Sequence, residues 1–409
     1  MAPTLQELSA LARSAADRID GDGQATVWWE RRLAVGEHGI SDLVQATAEL
    51  VVLRDGRVGA ASTTDLSDAG LDRAAAAAAG HAQLDREPDD ARALPAPSAA
   101  AAHDGWDAGV LELDPAALAE ELEDAAGIGL AVELRAGAAR VAIRSTRGLD
   151  AAEERSFAGA EVSAPGRPQA VALGPDGLDL AALVAAAEAG FREGAPQPAE
   201  AGEPPVVLGP VAVAQLLEAL KPELAGRDSL LAARRGDRIA APSIALSDAA
   251  GATLPRSFDA EGVPRTEVEL IAGGIARGFV ADTASGGSTG HATRPGHAEP
   301  WPDHLVLAGG DADGLAALAE PIALGLVIPA FLPGEHGGWL LDGAQLIEGG
   351  EASWPVNGIA EVDPLAVLAA TEALSSARQL VATEDDSALT IGATLAPALR
   401  ARAGVTIVG

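Results

Sequence analysis

A chain of 409 residues is long enough for roughly two or three domains with substantial cores, and a hydrophobic fraction of 48% excludes an intrinsically disordered protein. With 28 basic against 60 acidic residues the net charge is −32. That field repels phosphate backbones and argues against direct nucleic-acid binding, an acidic DNA mimic aside. The complete lack of cysteine excludes disulfides, iron–sulfur clusters, thiolate catalysis and any zinc site that needs a Cys ligand.

Thr4-Leu-Gln-Glu7 predicts a capping box, with Leu5, Leu8, Leu11 and Ala15 on one face of the helix it opens. This start has acidic Glu7 and no basic region before an apolar stretch, so no signal peptide is expected in it. A hairpin is expected with strands Thr47–Leu53 and Arg57–Ser62 around Asp55-Gly56. An alanine-rich helix should follow from Ser67-Asp68 to about Ala82. Prolines among small and acidic residues over Glu87–Ala102 read as an exposed connector. Asp114-Pro115 opens a helix to about Ala126, with proline at the first helical position, where its missing N–H costs nothing. Strands are expected at Gly129–Leu134, Ala139–Ser145 and Glu154–Ser163, then a helix from Asp179 to near Phe191.

The proline- and glycine-rich run Gly194–Pro205 marks a domain boundary. The fold class is therefore α+β, with an N-terminal domain of mixed helices and hairpins over 1–195 and a β-rich domain with few helices over 204–409. In the second, Val206–Leu208 is a short buried strand and Val211–Leu220 a helix. Strands should follow at Ser243–Ser247, Arg265–Ile271, Ile275–Ala281, His304–Leu307, Leu346–Glu348, Ser387–Ile391 and Val405–Val408, with a late helix from Asp363-Pro364. Gly273-Gly274 is a hairpin signal. The most apolar tract, Leu315–Leu332, is broken by Glu320, Pro321 and Pro329, so no membrane span is expected and the protein should be cytoplasmic.

Ser257-Phe-Asp-Ala-Glu-Gly-Val-Pro264, a hairpin, and Ser288-Thr-Gly-His-Ala-Thr-Arg294 together resemble the signature of the TldD/PmbA family, the family of modulators of DNA gyrase. Arg54–Gly59 with Thr64–Ser67, Gly236–Pro242 with Ser247-Asp248, and Ile347–Glu351 with Pro355-Val356 extend the resemblance over nearly the whole chain. It implies a two-domain dimeric peptidase that cuts unfolded or leader-type peptides in the cytoplasm. In its catalytic members, His-Glu-x-x-x-His on a helix and a distant Cys hold zinc, and the glutamate activates the metal-bound water.

Here the matching helix reads Leu216-Leu-Glu-Ala-Leu-Lys-Pro222, which sets Glu218 at the motif glutamate and Leu217 and Pro222 at the histidines. Neither side chain can ligate zinc, and no Cys is present for the third position. The departure fits the TldE/PmbA-like branch. No cofactor is then expected on this chain, and zinc is expected in a TldD-like zinc metallopeptidase partner, whose chamber wall the N-terminal domain would complete in a heterodimer or with a second copy of itself. The expected substrate is an extended peptide, added as a strand to a sheet edge.

Ser288, Thr289, His291 and Arg294 are the expected peptide contacts beside the dimer cleft. Ser285–Gly290 lacks the lysine and following helix of a phosphate-binding loop. Ser288 with His291 does not make a nucleophile–base pair from spacing alone. His291, His297 and His304, with His336 further on, match no standard zinc spacing and read as loop or surface residues; His38, His81 and His103 stand isolated and read as structural or solvated. Asp259 and Glu261 read as a turn into the next strand. Two alternatives stay open: a stand-alone homodimeric peptidase with an unconventional metal site in the His291–His304 region, and a binding module without chemistry.

Overall fold

The computed structural model describes residues 2–85, 93–126, 129–191, 195–285, 287–297, 299–334, 337–383, 385 and 387–408. The start of the expected 87–102 connector, residue 194 of the expected boundary, and His336 lie outside the described residues.

The capping box forms. The Thr4 hydroxyl accepts from the Glu7 N–H at 3.2 Å and the Thr4 N–H donates to the Glu7 carboxylate at 2.7 Å. It opens α1 (Leu5–Ala16), which buries Leu8, Ala12, Ala15 and Ala16. A strand absent from the sequence expectation follows, β1 (Asp22–Gly36). Its Trp-Trp-Glu-Arg-Arg centre hides the alternation, because Glu30 and Arg31 are buried with partners of their own. Glu30 accepts from Arg32, Gln45 and Ser387, and Arg31 donates to Asp42 and to the carbonyls of Val110 and Leu113.

β2 (Gly39–Arg54) and β3 (Arg57–Thr63) pair across Asp55-Gly56, whose φ values of 52° and 71° are those of a tight mirror-image turn. Then come α2 (Asp68–Leu84), α3 (Gly109–Glu112), α4 (Pro115–Ala126), β4 (Val132–Ser145), β5 (Asp150–Val162), β6 (Gln169–Ala172) and α5 (Leu180–Gly190). The two strands expected over 129–145 are one, because Gly137 keeps its place in the ladder between Arg32 and Phe157. The sheet runs β3-β2-β1-β4-β5-β6 and is antiparallel throughout. Helices α1, α2, α4 and α5 share a core with one face. The other face, through Val141, Ile143 and Phe157, packs on Leu254, Phe258 and Ile391 of the second half.

The second half is built on an 11-stranded mixed sheet whose centre is Ala393–Ala401, hydrogen-bonded to Thr371–Ala382, Leu305–Leu307 and Val206–Leu208. A four-stranded sheet carries Ala330–Pro333, Trp339–Asp342, Ile359–Val362 and Val405–Ile407. The expected strand Ser387–Ile391 is instead a turn, with Thr390 and Ile391 N–H donating back to Ser387 O. The true strand begins at Ala393, and its Pro397 faces Arg378 beside a register shift that spares the missing N–H. The result is a two-domain α+β fold.

Candidate functional site

Helix α6 (Pro210–Leu220) starts with proline in its first turn and sinks Val211, Val213, Leu216, Leu217 and Leu220 into the core of the second half. It cannot continue past Leu220, since the ring of Pro222 would collide with the carbonyl of Glu218. The chain tightens into a 3₁₀ turn over Lys221–Leu224. That turn delivers Glu218 and Lys221 to a cavity of about 400 Å³ between the two sheets. Trp28, Val141 and Ile143 of the first sheet and Phe258, Trp301 and Leu389 of the second half form apolar walls. Two further cavities adjoin it. One of about 490 Å³ shares Glu218 and Thr383, and one of about 730 Å³ shares Thr293 and Trp301.

Arg155, Arg256 and Asp303 of the cavity lining belong to an ionic chain that runs back into the protein. Asp248 Oδ1 lies 2.9 Å from His291 Nε2 and accepts from Arg265 at 3.1 Å, while Oδ2 accepts from the His304 N–H at 3.0 Å. Arg265 and Arg256 both donate to Asp303 Oδ2, at 3.0 and 2.9 Å. Arg256 and Arg155 both donate to the carbonyl of Leu389, and Arg155 pairs with Glu153, whose other oxygen lies 2.9 Å from His103 Nε2. Buried charges survive only when paired in this way. Burial pushes Asp248 up, but Arg265 and His291 outweigh it and hold the carboxyl far below the usual range. Burial likewise opposes, and Arg155 with His103 overcomes, at Glu153, which falls to about 2. Burial and the neighbouring Arg155 lower Arg256 to about 9. His304 is pushed well below its ordinary value by burial and Arg265, and His291 is lowered for the same two reasons.

The expected peptide contacts fall around this ionic chain. His291 is buried between Asp248 and Thr289, whose Oγ lies 2.9 Å from its Nδ1. Thr289 also bonds both backbone groups of Ala281, and Ser288 accepts from the Gly290 N–H. Arg294 is exposed. The adjacent Ala292, Thr293 and Pro295 line the cavity. The surface role expected for His291 and His304 is corrected, since both are buried in the ionic chain, with His304 Nδ1 on Thr253. His103 Nε2 lies 2.9 Å from Glu153 and His81 Nδ1 lies 2.7 Å from Ala60 O, in keeping with the structural roles expected of them. Asp259 and Glu261 do form a turn, with the Asp259 carboxylate accepting from the N–H groups of Glu261, Val263 and Ala292.

The metallopeptidase motif implied by the resemblance fails on chemistry at its own place. Leu217 is an alkyl side chain fully inside the core, Pro222 offers no donor atom, and the Glu218 carboxylate is paired with the Lys221 ammonium at 2.7 Å. This donor set does not fit zinc. Among the described residues, no group of three His, Cys, Asp or Glu side chains is disposed to hold a metal ion.

Fold and cavity together define a two-domain α+β protein with a cleft lined by both of its halves. The PmbA/TldA metallopeptidase C-terminal domain family matches residues 201–408, and the chain belongs to the PmbA/TldD metallopeptidase family. Its fold is that of the crystal structure of TldE from Thermococcus kodakarensis, at 21% identity and a TM-score of 0.81, covering 99% of this chain and 100% of that one. A proposed modulator of a DNA gyrase from Thermotoga maritima MSB8 follows at 18% identity and a TM-score of 0.77, over 99% and 100% of the two chains. Another, from Bacteroides thetaiotaomicron VPI-5482, gives 18% and 0.76 over 99% and 98%. No curated protein sequence matches the chain.

The sequence reading missed Lys221, Arg155, Arg256, Arg265, Asp248 and Asp303. A signal for the first was available: Lys221 is the only lysine in the chain, every other basic side chain that is always charged being arginine.

Proposed function

We propose that this chain is the subunit of a TldD/TldE-type peptidase assembly that holds an extended peptide and leaves the zinc to a TldD-like partner. The observation that carries this reading is the end of α6. A cavity of about 400 Å³ receives Glu218 and Lys221, paired at 2.7 Å, and the two positions that the resemblance gives to the motif histidines carry Leu217 and Pro222, neither of which can hold a metal. The cleft is built for a flexible substrate. Apolar walls take side chains, and carboxylates and guanidinium groups along its floor meet backbone amides and carbonyls. Ser288, Thr289 and Arg294 stay proposed as contributors to its rim, with the buried His291 holding the segment that places Ala292, Thr293 and Pro295 in the cavity wall.

The test mixes the purified chain with a purified TldD-like subunit bearing His-Glu-x-x-x-His. The expected result is co-elution of the two and hydrolysis of an unfolded peptide, blocked by a chelator, with zinc found only in the partner. Stoichiometric zinc in this chain alone, with chelator-sensitive hydrolysis by it alone, overturns the proposal. Failure of the two chains to associate or act together favours a stand-alone binding module.

A further inference from the structure

Lys221 is the one lysine among 409 residues, and its side chain is only 2% exposed. A chain that uses arginine at every other such position, surface included, keeps an ammonium here. The two groups are not interchangeable: a guanidinium is a planar fork, whereas an ammonium is a compact charge with three donors arranged around one atom. One of those donors reaches Glu218 Oε1 at 2.7 Å. Lys221 lines the cavity, and Asp303, whose charge it also feels, is already shared by Arg256 and Arg265. A buried cation with donor capacity to spare at a cavity wall is built to receive an oxygen from the occupant.

Two oxygens are chemically eligible, a free terminal carboxylate and an internal backbone carbonyl. The lining decides between them. Among the described residues, four acidic ones, Glu49, Glu218, Asp259 and Asp303, line the cavity against three basic ones, Arg155, Lys221 and Arg256. A further anion would enter without a matching cation, whereas a carbonyl adds no charge. The cavity also meets its two neighbours on either side of the α6 turn, through Glu218 and Thr383 in one direction and Thr293 and Trp301 in the other. This arrangement suits a chain passing through more than a chain ending.

Resting on the peptide-holding function proposed above, we propose that the Lys221 ammonium, braced by Glu218, donates a hydrogen bond to an internal backbone carbonyl of the bound peptide and so sets its register in the cleft. Because the lysine is unique, protein labelled with ¹⁵N-lysine gives a single side-chain ammonium signal. The probe is a short acetylated and amidated peptide of alanine, phenylalanine and lysine, bound to the full-length chain. The expected result is a shift of that signal on binding and a loss of roughly tenfold or more in affinity in Lys221→Met, as for a charged hydrogen bond removed. Lys221→Arg should restore little, because a planar fork does not replace a tetrahedral donor at this wall. The free-acid form of the peptide should bind no tighter than the amide.

An unmoved ammonium signal with the peptide bound overturns the proposal while leaving the peptide-holding function standing, and this measurement needs no variant that folds. Much tighter binding of the free acid also overturns it, in favour of terminal carboxylate capture. If no peptide binds at any salt concentration, the peptide-holding function falls and the proposal with it.

Discussion

Asp259 and Glu261 stand two residues apart on one turn and illustrate how position, more than residue type, sets a carboxylate's chemistry. Burial, with the Asp259 and Asp282 charges nearby, pushes Glu261 up to about 7, against hydrogen bonds from Thr283. Burial also raises Asp259 to about 6 despite three backbone N–H donors. A folded-state value above the unfolded one means that the protonated form is the stabilising one. That contribution is fully present below about pH 4 and is lost as pH rises through about 7 for Glu261. Glu153 has the opposite sign, because its value is lowered to about 2; its contribution is present above about pH 4.5 and lost as pH falls through about 2. Glu261→Gln should therefore stabilise the fold increasingly between pH 5 and pH 8, by up to about 3 kcal/mol at the upper end, and have little effect near pH 4. Urea unfolding at a series of pH values measures this. A gap between variant and parent that does not widen with pH would exclude a raised Glu261. The same residue scale shows what stayed hidden in the sequence. The spacing of Asp259 and Glu261 shows a turn, but the burial that perturbs them is set by the tertiary fold, in which the Gln24 amide of the first sheet donates to Ala260 O on the same turn.

Among the elements, the hairpin at Gly273-Gly274 offers a graded test of backbone control. Both glycines have positive φ, 56° and 75°, so alanine at either carries the left-handed penalty of roughly 1–2 kcal/mol. Their surroundings differ. A Cβ on Gly273 would find its nearest neighbour, Pro242 O, at 3.9 Å, whereas one on Gly274 would meet Ala240 O at 2.2 Å and Ala241 O at 2.6 Å. Gly273→Ala should cost about the penalty alone and Gly274→Ala at least about twice as much, since backbone must move. Equal losses in urea midpoint would show that the segment around Ala240 yields freely. This hairpin was legible because its signal is local, as were the α1 capping box, the Asp55-Gly56 turn and the proline that starts α4. The strands β1 and Ala393–Ala401 were not. In β1 buried charges carry their own partners, and in Ala393–Ala401 a proline sits beside a register shift, so the decisive facts are long-range. The candidate site was legible by half. The sequence points to the end of α6, where Glu218 lines the cavity, but the ionic chain joins Asp248, Arg265, Asp303, Arg256 and Arg155, which no local pattern brings together.

For the whole molecule, the net charge of −32 and the local chemistry of the cleft act on different parts of binding. The field of so many unbalanced carboxylates extends about 10 Å from the surface at 0.1 M salt and governs encounter. The contacts inside the cavity are short, desolvated and little screened, so they govern how long a peptide stays. A basic peptide should therefore associate faster than an acidic one of equal apolar content, by about tenfold or more at low salt, and the two rates should converge as salt rises. Their dissociation rates should respond far less to salt. Stopped-flow binding of matched lysine-rich and glutamate-rich capped peptides separates the two effects. Association rates that are alike at low salt would mean that the charge of this chain does not steer peptides. If the rates diverge as expected, the single ammonium at Lys221 gains a clearer place. In a molecule whose outer field turns anions away, a buried lysine is better spent on a neutral carbonyl that has already arrived than on attracting a carboxylate from solution.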